Sequence, residues 1–363
     1  MGWEAATIGL SCSLKPENME THTPPYLTLV ILNWNGLSLL RQCLPSVVAS
    51  LGEGHEVLLV DNGSTDDSVA WTKATFPQVR VLALPENLGY AGGNNAGLRA
   101  VESPFVLVLN NDVEVAPGWL PPLLTYMEAH PKMGAVQPKL LQYTARGFFE
   151  YAGAAGGHVD RYGFPFTRGR IFETMEPDHG QYDVPEPLFW ASGAAILLRK
   201  VALDQAGLFD EAFFMHMEEI DLCWRMQRHG WQIGVVPQSK AWHIGGASLP
   251  KINPFKTYLN FRNSLLMLYK NLPVAAFVRA YRGRLVLDVV AAFHALWQEP
   301  KVFPAILRAH RDFRKMRKAY TPPASSDPAV LPSYKGSIVW DYFVRGKKRF
   351  SSLNPAAFWA DKT

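Results

Sequence analysis

Acidic and amide side chains follow two short apolar runs in the first third of the chain. Asp61 closes the run Leu-Leu-Val and precedes Asn-Gly-Ser-Thr, and Asn110, Asn111 and Asp112 follow Phe-Val-Leu-Val-Leu. An acid at a strand end can accept hydrogen bonds from a ribose or a base. A carboxylate beside a diphosphate also suits a bridging divalent cation. Each feature taken singly fits a turn or a helix cap, so the prediction rests on their combination.

A second acidic cluster, formed by Glu218, Glu219 and Asp221, stands at the start of a predicted helix. Acids in a first helical turn commonly complement the helix dipole. Adjacent carboxylates in a cleft can also raise a pKa, which suits a general base. Consecutive helical residues project about 100° apart, so only one of the pair can face a given site. We assign that role to Glu219, with Glu218 as a supporting acid and helix cap. Asp221 is predicted to serve the first turn or to pair with Arg225, four residues on.

Two further segments bear on ligand binding. Residues 87–97 combine glycines with amide side chains and lead into a predicted helix, whose N-terminus attracts phosphate. A dinucleotide fingerprint is the alternative, but the segment follows the third predicted strand and its glycine spacing differs from that motif. His243 follows a later predicted strand, where it could ligate a metal or serve a structural role.

Short apolar, β-branched runs alternate with helical stretches from Tyr26 onward. The runs lie at residues 27–32, 56–60, 79–84 and 105–109. This βαβα pattern predicts an α/β fold with a parallel, doubly wound sheet buried on both faces. Ligands of such sheets bind at the carboxyl ends of the strands, where the polar segments converge. Beyond a predicted loop at 147–186, the predicted elements are a strand at 194–198, helices at 201–206 and 219–229, and a strand at 233–236.

The composition is that of a folded protein with an uneven charge distribution. Of the 363 residues, 48% are hydrophobic and 19% are charged, which argues against extensive disorder. Residues 299–350 hold 12 Lys or Arg against 4 Asp or Glu, although the whole chain carries only +4. Such a basic block favours an anionic surface, either membrane or nucleic acid. Because no nucleic-acid-binding motif is recognisable, we expect no nucleic acid partner.

Cysteine content and hydropathy bear on the compartment. The three scattered cysteines, Cys12, Cys43 and Cys223, favour a reducing environment. The first 25 residues lack the basic start and apolar run of a signal peptide, and the chain has no run of 18 apolar residues. We therefore expect a cytoplasmic protein, either free or attached peripherally to the inner face of the plasma membrane.

Taken in order, these segments resemble the bacterial family 2 glycosyltransferases, in particular the rhamnosyltransferase-like branch. The likeness spans residues 26–269. The matching segments are Val-Ile-Leu-Asn-Trp-Asn-Gly, Val-Asp-Asn-Gly-Ser-Thr-Asp, Asn-Leu-Gly-Tyr-Ala-Gly-Gly-Asn-Asn-Ala-Gly, Leu-Asn-Asn-Asp, Ala-Ser-Gly-Ala, Gly-Leu-Phe-Asp-Glu, Met-Glu-Glu-Ile-Asp-Leu-Cys-Trp-Arg and Trp-His. The resemblance implies a GT-A fold with a helical C-terminal extension, and sugar transfer with inversion at the anomeric carbon.

The resemblance also implies roles for individual residues. Asn33 and Asp61 would hold the nucleoside of the donor, and Asn94 would lie near its diphosphate. Asn35 and Asn111, at the same strand ends, complete the predicted donor site. The other implied roles are Mg²⁺ or Mn²⁺ binding by Asp112 and His243, the catalytic base at Glu219, and an acceptor pocket shaped by Trp190, Ser192 and Gly193.

Two positions depart from the pattern of the family. Asn110 stands where the family's Asp-x-Asp metal motif begins with an acid, which removes one charge and leaves Asp112 as the main acidic ligand. Glu218-Glu219 replaces the usual Glu-Asp, which extends the base by one methylene. A binding module of the same fold that has lost catalysis is therefore the alternative function.

The resemblance favours a nucleotide-diphospho-sugar donor, with dTDP-rhamnose ahead of a UDP-sugar. It implies a glycan or lipid-linked glycan as acceptor, in the synthesis of a bacterial cell-surface polysaccharide. The chemistry needs no protonating acid, because the diphosphate leaves without a proton, and it needs no Ser or Cys nucleophile.

The predicted domain organisation ends in a basic C-terminal part. It comprises a flexible tail at 1–25, a GT-A catalytic domain at 26–255, a helical extension at 256–320, and a Pro-containing linker with a basic aromatic tail at 321–363. Residues 303–320 repeat apolar side chains at helical spacing among basic ones, namely Phe303, Ile306, Leu307, Phe313, Met316 and Tyr320. This pattern suits an interfacial helix on an anionic membrane, or a helix packed on the catalytic domain with a solvated basic face.

Overall fold

Strands and helices alternate along the first part of the chain, in a computed structural model that describes residues 24–245, 253–324 and 333–358. These elements are β1 (Leu27–Asn33), α1 (Leu37–Ala49), β2 (His55–Asp61), α2 (Ser68–Thr75), β3 (Arg80–Ala83), α3 (Gly89–Arg99), β4 (Phe105–Asn110), β5 (Val113–Val115), α4 (Leu120–Ala129) and β6 (Met133–Gln142). Nearly all of the predicted tail at 1–25, with Cys12, and most of the predicted linker at 321–332 lie outside the described residues.

The second half contains short strands, one long strand and a group of helices. Its strands are β7 (Gly157–Val159), β8 (Pro165–Thr167), β9 (Arg170–Ile171), β10 (Thr174–Met175), β11 (Glu186–Leu188), β12 (Ala195–Arg199) and β13 (Gln232–His243). Its helices are α5 (Lys200–Ala206), α6 (Glu218–Arg228), α7 (Pro254–Asn271), α8 (Val274–Gln298), α9 (Phe303–Met316) and α10 (Ile338–Phe343).

The main sheet has the strand order β11-β13-β6-β12-β4-β1-β2-β3, with β5 paired to β13. Strands β3, β2, β1 and β4 are parallel, as the βαβα pattern predicted, and β12 then joins antiparallel to both β4 and β6. The α/β class is confirmed, and the sheet is mixed. Alternate residues of β1 face opposite sides: Leu29 and Ile31 pack with α1, whereas Val30 packs with α3. Because helices cover both faces of the sheet, a ligand can reach it only at the edge formed by the carboxyl ends of the strands, where the polar residues lie.

A second, four-stranded sheet lies within the segment predicted as a loop. Strands β7 to β10 pair in order within residues 157–175, so the loop prediction at 147–186 is wrong for these strands and holds for the turns and irregular segments between them. Strands of two or three residues are too short to produce a recognisable alternation. The C-terminal segment packs on this sheet: Phe350 stacks on His158 at 5.3 Å, and Tyr334 meets Phe166 edge-on at 5.5 Å.

The C-terminal helices pack on the catalytic part of the chain. In α9, Ile306, Ala309 and Phe313 are buried, and these residues join clusters that include α7 and α8. The basic side chains Arg308 and Arg311 remain exposed. The packed alternative therefore describes the apolar side of α9, and contact of its exposed basic side with a membrane stays a prediction. No helix in the described parts of the chain is both long enough and apolar enough to cross a bilayer.

Candidate active site

Three strand ends meet at one edge of the main sheet. The register places Asn33 of β1 opposite Asp61 of β2, and Leu32 opposite Asn110 of β4. The Asn111 amide donates to Asn33 Oδ1 at 2.8 Å, and Asn33 Nδ2 lies 3.4 Å from Asp61 Oδ1. The structure thus brings together three of the residues predicted to bind the donor. Asn33 and Asp61 are buried, so the strands hold them in fixed positions.

The loop after β1 is tied to the loop after β2. Asn35 lies in the left-handed region at φ 48°. Its side-chain Oδ1 accepts a 2.8 Å hydrogen bond from the Thr65 backbone N–H, and its own backbone N–H donates to Ser64 Oγ at 2.9 Å. Gly36 is required beside them, because a Cβ there would lie 2.3 Å from Asn111 Nδ2. Asn35 therefore positions this loop against the strand ends.

The glycine-rich segment forms a helix rather than a phosphate loop. Helix α3 begins at Gly89, and its glycines allow close packing on the sheet: a Cβ at Gly93 would lie 2.4 Å from Leu32 Cδ1, and one at Gly97 would lie 2.6 Å from Val30 Cγ1. The predicted helix exists, but it begins before the asparagines. Asn94 is buried within it, donating to Tyr90 O at 3.0 Å, and its Oδ1 has no hydrogen-bond partner among the described residues.

Asp112 and His243 are brought together by the pairing of β5 with β13. His243 pairs with Val113, the residue after Asp112, and His243 Nε2 lies 3.0 Å from Asp112 Oδ1. On its other side, His243 Nδ1 lies 3.1 Å from Glu150 Oε1. Burial alone would raise the pKa of Asp112, but the His243 charge and hydrogen bond bring it below its usual value. Burial opposes the charged imidazole, yet the two carboxylates raise the pKa of His243 well above its usual range.

The donor atoms of Asp112 and His243 suit a divalent cation that also binds substrate. A carboxylate oxygen and an imidazole nitrogen 3.0 Å apart can reach one ion, which requires the imidazole to lose its proton. Among the residues that the structure describes, no group of three or more His, Cys, Asp or Glu is placed to hold a metal. The pair therefore fits an ion whose remaining ligands come from a diphosphate and water.

Glu218 and Glu219 open α6 after a strained turn. Phe214, His216 and Met217 all have positive φ values, of 67°, 69° and 76°, which are uncommon for residues with side chains. Met217 occupies the N-cap position and Glu218 is the first helical residue, so the predicted capping role of Glu218 is wrong. The pairing predicted for this helix is confirmed: Arg225 Nε lies 2.9 Å from Asp221 Oδ2.

The two glutamates hold their protons more tightly than usual. Burial raises the pKa of Glu219 to about 7, and burial with the Glu219 charge raises the pKa of Glu218 well above its usual range. We expected the Glu218 charge to raise the pKa of Glu219, but burial is the main cause. Oε2 of each carboxyl has no hydrogen-bond partner among the described residues. Glu219 is thus a half-buried acid able to exchange a proton near neutral pH.

Helix α7 fixes the turn that presents these acids. Asn263 Nδ2 lies within hydrogen-bond distance of the carbonyl oxygens of Phe213, Met215 and His216, at 2.9, 2.9 and 2.8 Å. Asn271, also on α7, donates to Asp221 Oδ1 at 2.8 Å. These contacts join residues about fifty positions apart and tie α7 to the acidic helix.

The segment before β12 connects the acids to the strand ends. Tyr90 donates its hydroxyl to Gly193 O at 2.7 Å, and a Cβ at Gly193 would lie 3.6 Å from Glu219 Cβ. The amide of Asn110 donates to Ala194 O at 3.0 Å. Burial, followed by the charges of Glu218, Glu219 and Asp112, raises the pKa of Tyr90 well above its usual value.

The other predicted acceptor residues are held by internal contacts. Trp190 is buried and donates its indole N–H to His158 O at 2.9 Å. Ser192 is buried too; its amide donates to Gln137 Oε1 at 2.9 Å and its hydroxyl to Ala152 O at 3.2 Å. They support the segment that carries Gly193, and a role in an acceptor pocket stays a prediction.

Sequence reasoning missed three residues of the site. Tyr90 lies inside the glycine-rich segment and could have been noticed as its one phenol. Glu150 lies in the segment predicted as a loop, and Asn263 lies on a helix of the predicted C-terminal extension. Glu150 contacts His243, and Asn263 contacts the turn before Glu218. Both contacts join residues far apart in sequence, so no local sequence pattern predicts them.

Comparison with known proteins identifies relatives over this part of the chain. The family model described as "Glycosyl transferase family 2" matches residues 28–185. The N-acetylglucosaminyl-diphospho-decaprenol L-rhamnosyltransferase of Mycobacterium tuberculosis is 31% identical over 225 residues, which cover 56% of this chain and 71% of the relative. The low-salt glycan biosynthesis hexosyltransferase Agl10 of Haloferax volcanii is 24% identical over 246 residues, covering 66% and 74%.

Solved structures agree on the fold. A structure of GalNAc-T7 with UDP, GalNAc and Mn²⁺ matches with a TM-score of 0.57 at 15% identity, over 92% of this chain and 59% of the other. S. aureus TarS, residues 1–349, matches with a TM-score of 0.53 at 14% identity, over 81% and 82%. At these identities the likeness shows a shared GT-A fold. The protein belongs to glycosyltransferase family 2 and is rhamnosyltransferase-like.

Proposed function

We propose that the protein is an inverting, metal-dependent glycosyltransferase. It transfers a sugar, with rhamnose favoured, from a nucleotide-diphospho-sugar to a hydroxyl of a glycan or lipid-linked glycan in bacterial cell-surface polysaccharide synthesis. The observation that carries this proposal is Glu219, a half-buried acid with a pKa raised to about 7 and connected through Gly193 and Asn110 to the polar strand ends.

The donor would lie along the polar strand ends. Asn33, Asp61 and Asn111 offer amide and carboxylate groups to the nucleoside, as in other α/β sheets that bind nucleotides at strand ends. Asn94 offers its side-chain Oδ1, which has no hydrogen-bond partner in the part of the chain that the structure describes. Asp112 and His243 would hold Mg²⁺ or Mn²⁺ with the donor diphosphate, and the cation would neutralise charge on the leaving group.

Glu219 would act on the acceptor. Its carboxylate takes the proton of the acceptor hydroxyl, and the hydroxyl oxygen attacks the anomeric carbon opposite the diphosphate. The bond between that carbon and the phosphate oxygen breaks, and the nucleoside diphosphate leaves with the electron pair. One displacement inverts the configuration and needs no covalent intermediate.

The donor is proposed from the relatives. The name of the M. tuberculosis relative states rhamnose transfer to a decaprenol-linked acceptor, which favours dTDP-rhamnose, and the GalNAc-T7 structure contains UDP and Mn²⁺, which keeps UDP-sugars as candidates. A thermal-shift screen of nucleotide-sugars with Mn²⁺ identifies the donor, since a ligand at about 100 times its Kd adds roughly 2.7 kcal/mol to stability.

The product then tests the mechanism. NMR of the glycoside formed from the stabilising donor should show inverted anomeric configuration, and retention would contradict the single displacement. A module that binds without catalysis is the second candidate, because Asn110 removes one acid from the metal motif. Such a module would be stabilised by the donor and would neither transfer nor hydrolyse its sugar, with or without Mn²⁺.

A further inference from the structure

Helix α8 presents large apolar side chains to solvent. One side packs inward through residues such as Phe277, Ala280 and Ala292. The opposite side exposes Val286, Val289, Val290, Phe293, Leu296 and Trp297, which we call the α8 outer face. Phe293 is 68% exposed and Trp297 is 85% exposed. At 1.5 Å per residue these side chains form a stripe about 17 Å long.

The charges of α8 are arranged the opposite way from those of a normal surface helix. Arg284 and Asp288 are buried and paired at 2.7 Å, and Arg284 also donates to Ser264 Oγ at 2.9 Å. The exposed charged residues of the helix are Arg279 and Arg282, both cationic. A helix that buries its ion pair and exposes its apolar residues has the pattern expected of an interaction surface for another apolar environment.

Helix α9 adds further positive charge beside α8. His310 of α9 lies 3.0 Å from Asp288 Oδ2, which joins the two helices. The solvent side of α9 carries exposed bases, namely Arg308, Arg311, Arg314 and Lys315. Asp312 is the one acid of this helix, and it pairs with Arg308 and Arg311. The exposed surface of the two helices is therefore basic around an apolar stripe.

We propose that the α8 outer face docks the protein on an anionic membrane surface. The helix would lie in the plane of the interface, with its valines and Phe293 among the acyl chains and Trp297 at the headgroup level, where tryptophan is enriched. Arg279, Arg282 and the bases of α9 would contact anionic headgroups.

Charge favours lipid over a second copy of the chain. Two copies meeting through this face would bring two basic surfaces together, which repel, whereas an anionic bilayer supplies complementary charge and an apolar phase in one partner. The proposal concerns a surface away from the residues assigned to catalysis, so it stands whichever sugar and acceptor the enzyme uses.

Vesicle co-sedimentation of the full chain tests this surface. Wild-type protein should bind phosphatidylcholine vesicles that contain phosphatidylglycerol, and bind vesicles of phosphatidylcholine alone more weakly. The double variant Phe293→Glu/Trp297→Glu should lose at least about ten-fold in binding, because it places charge where acyl chains should be. Each of Arg279→Gln and Arg282→Gln should weaken binding about five-fold, on the anionic vesicles only.

Val201→Glu is the matched control, since Val201 is an exposed apolar residue on α5. It should bind vesicles as the wild type does. Thermal melts of every variant and hydrolysis of free nucleotide-sugar in solution should stay at wild-type values, which separates this proposal from the catalytic one. Absence of vesicle binding by the wild type, or unchanged binding by the double variant, would overturn the proposal. A wild-type dimer that the double variant splits, without vesicle binding, would assign the face to a second copy instead.

Discussion

Two acidic groups at the same sheet edge differ in their surroundings. Asp112 is buried against His243, whose charge and hydrogen bond hold the pKa of the carboxyl below its usual value. Glu219 is half-buried, its Oε2 has no hydrogen-bond partner among the described residues, and desolvation raises its pKa to about 7. A partnered acid stays charged and suits a cation or a diphosphate, whereas an unpartnered one can take up a proton near neutral pH. The contrast supports the proposed division, in which Asp112 serves donor binding and Glu219 serves acceptor chemistry.

The largest expected effect is the removal of the base. Glu219→Gln keeps the shape and hydrogen-bonding capacity of the side chain but cannot accept the proton, so turnover should fall about 10²- to 10⁴-fold. Steady-state assays with the donor found by thermal shift measure this. Glu218→Gln is the control and should cost less. A reversed order of the two variants would assign the base to Glu218.

A substitution that shifts Glu218 and Glu219 without changing either residue should lower kcat by less. Asn263→Ala removes the amide that binds three carbonyls of the turn before Glu218, so kcat should fall about 10- to 100-fold through misplacement of Glu219, with KM for the donor unchanged. Asn253→Ala is the matched control on the same helix, because loss of this N-cap costs roughly 1 kcal/mol of stability away from the turn. Equal losses of kcat in both variants would show that Asn263 contributes only to the stability of the fold and does not position Glu219.

The contrast also predicts a pH dependence. Because the pKa of Glu219 is raised to about 7, the carboxyl is protonated below that pH, and kcat at pH 6 should be about ten-fold below its plateau. The raised pKa also means that the folded state holds this proton more tightly than the unfolded chain. The contribution of Glu219 to the free energy of unfolding is therefore present below its ordinary pKa and is lost as pH rises towards 7. Protonation of Glu219 at low pH thus does not destabilise the fold, so a fall of kcat at pH 6 would not be explained by unfolding through this group. A pH profile of kcat that is flat from 6 to 8 would contradict the assignment.

The meeting of the polar strand ends could be predicted from sequence, and the placement of the two glutamates only in part. Asn33, Asp61 and Asn111 each follow a strand that its apolar run reveals, and parallel strands bring such ends to one edge. The positions of Glu218 and Glu219 depend on a turn that Asn263 holds from about fifty residues away, and local pattern carries no such information. The acids were identified, but the cause of the raised pKa, their burial, was not.

The two C-terminal helices show the limit of pattern reading. An apolar stripe flanked by bases, as in α9, looks the same whether it faces a protein core or a membrane. In α8 the paired Arg284 and Asp288 are buried. A prediction that places charged residues on the solvent side of a helix therefore assigns the wrong side of α8 to solvent. Only the packing shows that α9 covers its stripe and α8 exposes one.

Calorimetric titration of a nucleoside diphosphate with Mn²⁺ present tests the division of roles most directly. The nucleotide is UDP or dTDP, according to the donor screen, and the proteins are wild type, Asp112→Asn and Glu219→Gln. Asp112→Asn should weaken nucleotide binding by at least about ten-fold, because it removes the carboxylate that would hold the cation. Glu219→Gln should bind the nucleotide as the wild type does. Retained affinity in Asp112→Asn together with lost affinity in Glu219→Gln would contradict the account.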